Sequence, residues 1–82
     1  MQGTRIEIGD TWEEGRGPKP GDYWKRATGW MAACPNGLHA NLERHSVTEH
    51  EDGTITVSPS ILCRSGSAEW HGYLERGVWR EC

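Results

Sequence analysis

Two cysteine–histidine pairs have side chains that could bind a metal ion. Cys34 is followed by His39 across a Pro-Asn-Gly-Leu segment, and Cys63 is followed by His71. Tetrahedral zinc takes four Cys or His ligands from two loops, and a Pro-x-Gly sequence after the first Cys favours the tight turn of a zinc knuckle. Neither pair has the Cys-x-x-Cys spacing of a strong zinc signature. We expect one structural zinc ion, bound by Cys34, His39, Cys63 and His71.

Two alternatives to this ligand set stay open. In one, the cysteines are small buried hydrophobic residues and the histidines are ordinary strand residues. In the other, Cys82 replaces His39 or Cys63 as a ligand. A two-residue turn at Arg76-Gly77 would place His71 opposite Cys82, whereas a three-residue loop would not.

The composition explains why a metal is expected. The chain has 82 residues, a net charge of −3, no Phe and five Trp. Its Leu, Ile and Val residues make up a thin core, and such a core needs a disulfide, a metal or an oligomer interface. Three cysteines cannot all pair within one chain, and no stretch resembles a signal peptide or enters a membrane. We therefore expect reduced thiols, a cytoplasmic location and bound zinc.

The segment His45–Val57 predicts a β-hairpin, because β-branched residues lie on both sides of Glu51-Asp52-Gly53. A three-residue loop with Gly53 in the left-handed conformation keeps the apolar residues on one face, whereas a two-residue turn divides them between faces. The predicted pairs are Val47 with Val57, Thr48 with Thr56 and Glu49 with Ile55.

Further elements complete a mostly β fold. Trp70–Arg80 predicts a second hairpin with Glu75-Arg76-Gly77 at its tip, and Thr4–Ile8 alternates like a strand. Ser58-Pro59-Ser60 should break the first hairpin. We expect a small antiparallel sheet of two hairpins plus the N-terminal strand, stapled by zinc, with long irregular loops. Within this one domain, residues 1–29 form a Gly/Pro-rich strand and loop region, and residues 30–82 form the zinc-stapled β domain.

Short motifs between residues 30 and 80 resemble a family of uncharacterised small domains that are common in phages and mobile elements. The family pattern runs CPxGC, DGT, PSI, a later Cys, then a His-aromatic strand and a Gly turn. The matching residues are Cys34-Pro35-x-Gly37, Asp52–Ser60 with Ile61, Cys63, His71–Leu74 and Gly77–Trp79. The resemblance implies a metal-binding β domain without a known reaction. This chain has Asn36 and Leu38 where the family has a further Cys, so His39 is the nearest ligand.

The sequence does not favour catalysis. A zinc hydrolase needs an open coordination position and a general base, for which Glu69 beside Trp70-His71 is the nearest candidate. No Gly-rich phosphate loop, Ser-His-Asp order or paired-carboxylate motif accompanies it. We expect a protein that is not an enzyme.

Binding of another macromolecule is the function that we expect. Five Trp exceed what a small core must bury, and Trp12, among acidic residues, suits an interface anchor, as do Trp24 and Arg26. Packing of Trp12 and Trp24 in the core is the alternative, and it stays open. A protein partner is expected, such as a host protein that a phage protein blocks in the host cytoplasm, or a phage assembly. The alternative is nucleic-acid binding by Tyr23, Trp24, Lys25 and Arg26, although the acidic balance of the whole chain repels phosphate. A homo-oligomer also stays open.

Overall fold

The computed structural model describes residues 1–7, 18–27 and 29–82, and these residues form eight β-strands and no helix. The strands are β1 (Thr4–Arg5), β2 (Asp22–Arg26), β3 (Gly29–Ala33), β4 (His39–Asn41), β5 (Ser46–Glu49), β6 (Ile55–Ser65), β7 (Ala68–Glu75) and β8 (Val78–Glu81). The predicted mostly β class is confirmed. Within these described ranges no helix is long and apolar enough to cross a membrane.

The strands form two sheets instead of the single small sheet that was predicted. The first sheet has the order β1-β2-β3-β4, in which β1 runs parallel to β2 and the other pairs are antiparallel. The second sheet is the antiparallel meander β5-β6-β7-β8. Of the predicted strand Thr4–Ile8, only Thr4–Arg5 is a strand, and Ile8 lies outside the described residues.

The first hairpin has the predicted register. Val47 pairs with Val57, Thr48 with Thr56 and Glu49 with Ile55. Gly53 has a φ of +87°, in the left-handed region that favours glycine. The His50 N–H donates to the Thr54 carbonyl at 2.8 Å, which leaves Glu51, Asp52 and Gly53 as the three-residue loop. The alternation of apolar residues was therefore sufficient to fix this register.

The second hairpin has a shorter turn than its predicted tip. Glu75 pairs with Val78, so the turn consists of Arg76 and Gly77 alone. Both have positive φ, +46° and +77°, as a type I′ turn requires. A turn of this type matches the right-handed twist of the two strands that it joins. This match explains why Arg76 has a positive φ, which few non-glycine residues adopt.

Strand β6 does not stop at Ser58-Pro59-Ser60, where a break was predicted. It continues to Ser65, and its register against β7 shifts between Val57 and Ile61. Proline has no N–H to donate to the hydrogen-bond ladder between strands. A strand that contains proline therefore pairs irregularly or bulges at that residue. β6 pairs with β5 from Ile55 to Ser58, and with β7 at Val57 and again from Ile61 to Ser65.

The two sheets share one hydrophobic core. Its buried residues come from both sheets: Tyr23, Trp30, Ala32, Cys34, Leu42, Ile55, Val57, Ile61, Cys63, Trp70, Leu74 and Trp79. The rings of Trp70 and Trp79 meet edge to face, with centroids 5.3 Å apart. Across the sheets, the buried Trp79 Nε1–H donates to the Gly21 carbonyl at 2.9 Å. Aromatic rings thus supply the packing that the few aliphatic residues cannot.

The first residues of the chain connect the two sheets. The Gly3 N–H donates to the Gly77 carbonyl at 2.7 Å, and the Thr4 N–H donates to the Gly21 carbonyl at 3.2 Å. A Cβ on Gly3 would lie 2.8 Å from the Gly77 oxygen and 2.9 Å from the Gly21 oxygen. Only glycine fits here, because backbone from both sheets approaches it on either side.

Candidate protein-binding face

Two of the four predicted zinc ligands are bonded to each other. Cys34, directly after β3, and Cys63, on β6, form a disulfide with Cα atoms 6.7 Å apart, and both residues are buried. The disulfide links the first sheet to the second. The expectation of reduced thiols at these two positions is therefore corrected, because the staple between the sheets is a covalent bond between the sulfurs.

The two predicted histidine ligands lie away from these sulfurs. The His39 ring packs edge-on against Trp24, with centroids 5.5 Å apart. His71 pairs with Leu62 on the exposed side of the second sheet, whereas the neighbouring Cys63 points into the core. In the described part of the chain, no group of three or more His, Cys, Asp or Glu side chains is placed to hold a metal. The structure does not bring the four predicted ligands together, and bound zinc stays a prediction.

Cys82, the predicted substitute ligand, lies next to His71. The Cys82 N–H donates to the His71 carbonyl at 2.9 Å, so the two residues are cross-strand neighbours. Cys82 is exposed and forms no disulfide. On the other side of β7, the Ser60 Oγ and His71 Nε2 are 2.7 Å apart. The two-residue turn at Arg76-Gly77 produces this pairing.

The aromatic residues that were predicted to bind a partner are mostly in the core. Tyr23 is 1% exposed and Trp24 is 3% exposed, so neither ring can stack on a base or enter a partner's pocket. Lys25 and Arg26 are exposed, and the Lys25 ammonium lies 5.9 Å from the Trp30 ring centroid. Trp12 lies outside the described residues. The nucleic-acid interpretation thus retains its basic side chains and loses its stacking residues.

Exposed apolar side chains lie on the outer face of the second sheet. We define this outer face by the residues Leu62, His71, Tyr73, Val78 and Arg80. Leu62 is 53% exposed, Tyr73 is 39% and Val78 is 41%. They lie on three successive strands, and the register places Tyr73 diagonally between the other two. Alternation forces this arrangement, because Ile61, Cys63 and Leu74 take the inward positions.

Charged groups hold Tyr73 in place on this face. The Arg80 guanidinium lies 5.6 Å from the Tyr73 ring centroid and also forms an ion pair with Glu75. Glu69, the nearest candidate for a general base, also lies on β7, and its carboxylate oxygen is 3.8 Å from the Arg64 guanidinium. An aromatic ring beneath a guanidinium, bordered by aliphatic side chains, is typical of protein interfaces. Sequence reasoning missed Tyr73 and Leu62, although the alternation around Ile61 and Leu74 could have placed both outward.

A polar pocket lies where the tips of the two hairpins meet. Its volume is about 480 Å³, and its lining includes His50, Glu51, Asp52 and Arg76. The Thr54 N–H and hydroxyl donate to one Asp52 oxygen and hold the pKa of this carboxyl below its usual value. Charges of both signs in an open pocket suit a small polar ligand, and nothing here forms a nucleophile and base pair.

Arg5 connects this end of the molecule to the first sheet. Its guanidinium lies 2.6 Å from a Glu49 carboxylate oxygen and also donates to the Gly53 carbonyl at 3.1 Å. The hydrogen bond from Arg5 lowers the pKa of Glu49. Burial raises the pKa of the Tyr23 hydroxyl, and the negative charge of Asp52 raises this pKa further. The lowered pKa favours the charged form of Glu49, and the raised pKa favours the neutral form of Tyr23.

The motifs that resemble small phage domains have clear places in the fold. The segment after Cys34 forms a tight turn in which the Gly37 N–H donates to the Cys34 carbonyl at 2.8 Å. The Asp52-Gly53-Thr54 motif forms the tip of the first hairpin. Membership of that family stays a prediction. Comparison of the chain with protein-family models, with curated proteins and with solved structures gives no match.

Proposed function

We propose that this protein is a non-enzymatic binding module that contacts another protein through the outer face of the second sheet. The observation that carries the proposal is Tyr73, which is exposed between Leu62 and Val78 and lies beneath Arg80. Single exposed apolar residues are common, but a contiguous group on one rigid sheet is typical of an interface. The strands fix the positions of these side chains before any partner arrives, which lowers the entropic cost of binding.

The energetic centre of the proposed interface is Tyr73 with Arg80. Tyr and Arg are enriched among residues whose truncation weakens binding by about 2 kcal/mol or more. Leu62 and Val78 would exclude water around them. This replaces Trp12 and Trp24 as the expected anchors, since Trp24 is buried and Trp12 is outside the described residues.

The test is capture of partners by the whole folded chain and by matched variants. Tyr73→Ser and Leu62→Ser should abolish capture of a partner that the wild type retains, with unchanged unfolding curves. Lys25→Ser, on the other sheet, serves as the control and should retain it. If Lys25→Ser or Arg26→Ser loses the partner and the Tyr73 variant keeps it, the proposed face is wrong. Binding of random DNA that disappears with added salt would favour the nucleic-acid alternative.

Structural zinc forms a separate part of the proposal. Cys34 and Cys63 could bind a metal only after reduction, and His39 and His71 would then have to move toward them. Metal analysis of the purified protein tests the prediction directly. About one equivalent of zinc per chain, and melting that falls in excess chelator, would support it. Zinc far below one equivalent with unchanged melting would remove it. We also propose, from the resemblance to small phage domains, that the protein comes from a phage and acts in the host cytoplasm.

A further inference from the structure

We propose that His71 and Cys82 form half of a zinc site, and that a second copy of this chain supplies the other half. The observation is their cross-strand pairing on the exposed face, with the Cys82 N–H donating to the His71 carbonyl at 2.9 Å. The inference rests on the proposed function, because it names a second copy as a partner of the same face. It differs from the predicted site, since neither Cys34 nor His39 takes part.

The register brings the two ligands within reach of one ion. Directly opposed residues of an antiparallel pair have Cβ atoms about 4.5–5.5 Å apart and side chains on the same face. Zinc binds Cys sulfur at about 2.3 Å and His nitrogen at about 2.0–2.1 Å, so adjacent side chains can converge on it. Both residues are exposed, and Cys82 has no disulfide partner.

Ser60 prepares His71 for this role. Its hydroxyl lies 2.7 Å from His71 Nε2 and can accept that N–H, which leaves Nδ1 with the free lone pair. Zinc-bound histidines almost always donate their other ring N–H to an oxygen acceptor, and the Ser60 hydroxyl is placed to be that acceptor here. Ser60 lies on β6 and Cys82 directly follows β8, so the two residues lie on opposite sides of β7, which carries His71.

A second copy completes the coordination shell. One chain supplies one nitrogen and one sulfur, and tetrahedral zinc needs four ligands. A twofold axis through the ion would give a Cys₂His₂ site by repeating the same two residues. Leu62 pairs with His71 and is 53% exposed, so the two copies would bury it on closing. Each Cys82 thiol would lose a proton to the solvent as the metal–sulfur bonds form.

The experiment uses the full chain with its buried disulfide intact and Cys82 kept reduced. We expect zinc to convert monomer to dimer at one ion per two chains, and chelator to reverse this. Cobalt should give the intense visible bands of a tetrahedral site and the ultraviolet band of thiolate ligation. His71→Ala and Cys82→Ser should abolish both effects, and Ser60→Ala should weaken zinc binding about 10–100-fold. His39→Ala is the matched control and should change nothing.

Several outcomes would overturn the inference. These are one zinc per chain without dimer formation, a zinc-dependent dimer that survives Cys82→Ser, and a dimer that only a reductant dissolves. Loss of zinc binding in His39→Ala would favour the originally predicted ligands. If purified chains stay monomeric with zinc while partner capture still depends on Tyr73, the inference fails and the proposed function stands.

Discussion

At Gly53 the backbone conformation alone determines which residues fit. A Cβ there would meet nothing closer than the Arg5 Nη1 at 3.8 Å, so space is not the constraint. The φ of +87° is the constraint. Gly53→Val should therefore destabilise the protein by about 1–2 kcal/mol in denaturant unfolding, because a β-branched residue is strained in the left-handed region.

Gly53→Asn is the control for this prediction. Asn has the same lack of steric conflict and tolerates the left-handed conformation, so it should cost distinctly less than Val. Equal losses for the two variants, or no loss for Val, would contradict the assignment of the cost to φ.

The ion pair of Glu49 with Arg5 makes stability depend on pH. The pKa of Glu49 is lowered in the folded state by the hydrogen bond from Arg5, so the unfolded chain binds its proton more readily. This contribution is present above the unfolded pKa of about 4.3 and is lost as pH falls through the folded value. Thermal unfolding from neutral to acidic pH should show a smaller decline in Glu49→Gln than in wild type.

Glu81→Gln, at another exposed carboxylate, is the matched control, because it removes one negative charge and leaves the pair of Glu49 with Arg5 intact. Identical curves for Glu49→Gln and wild type would show that the pair contributes nothing measurable, as many exposed ion pairs do.

At the scale of the elements, β8 and the Trp70 ring leave no room for a side chain at Gly72 of β7. A Cβ there would collide with the Arg80 carbonyl oxygen and lie 2.6 Å from the Trp70 Cη2. Gly72→Ala should therefore destabilise the protein by about 1–3 kcal/mol, as overpacked sites do. His71→Ala, on the exposed side of the same strand, should stay within about 0.5 kcal/mol. Denaturant unfolding distinguishes them, and a neutral Gly72→Ala would show that the strands separate at little cost.

Elements with a strong local pattern could be predicted from the sequence. The first hairpin has β-branched residues on both sides of a single Gly, and its register was correct. The second hairpin lacked that contrast, because Arg76 gave no sign that it would adopt a positive φ. Pro59 indicated a break, yet the neighbouring β5 and β7 hold β6 together through a register shift. Tertiary pairing overrode the local signal there.

For the whole molecule, the main unpredicted features are the first sheet and the disulfide. Strands β2 to β4 have three to five residues each, too few for a period to be read, and the core residue Ala32 is too small to indicate a buried strand. The zinc prediction already brought Cys34 and Cys63 together, but the odd number of cysteines favoured reduced thiols over the bond that joins the two sulfurs. The site residues Tyr73 and Leu62 follow from strand alternation, whereas the burial of Tyr23 and Trp24 depends on the packing of one sheet on the other.

Reduction of the Cys34–Cys63 bond should destabilise the molecule. A cross-link that spans 29 residues restricts the unfolded chain and should contribute about 3–4 kcal/mol. Denaturant unfolding with and without reductant measures it. Cys82→Ser should show the same difference, which assigns the effect to the buried pair.

Alkylation of the denatured, unreduced protein provides the second check. It should modify only Cys82, and all three cysteines after reduction. Three reactive thiols before reduction would contradict the disulfide and would support the predicted cytoplasmic location, because disulfides persist in oxidising compartments.

The closure of both sheets by residues 1–4 has a consequence for how the chain folds. The Trp79 N–H donates to the Met1 carbonyl at 2.8 Å, and the Gly3 N–H donates to the Gly77 carbonyl, so Met1 and Gly3 acquire these partners only once β8 has formed. Contacts of such long sequence separation carry a large loop-closure entropy and slow the crossing of the folding barrier. A chain emerging from the ribosome can form the first hairpin early, but the hydrogen bonds of residues 1–3 to the second sheet form only after Trp79 has left the exit tunnel.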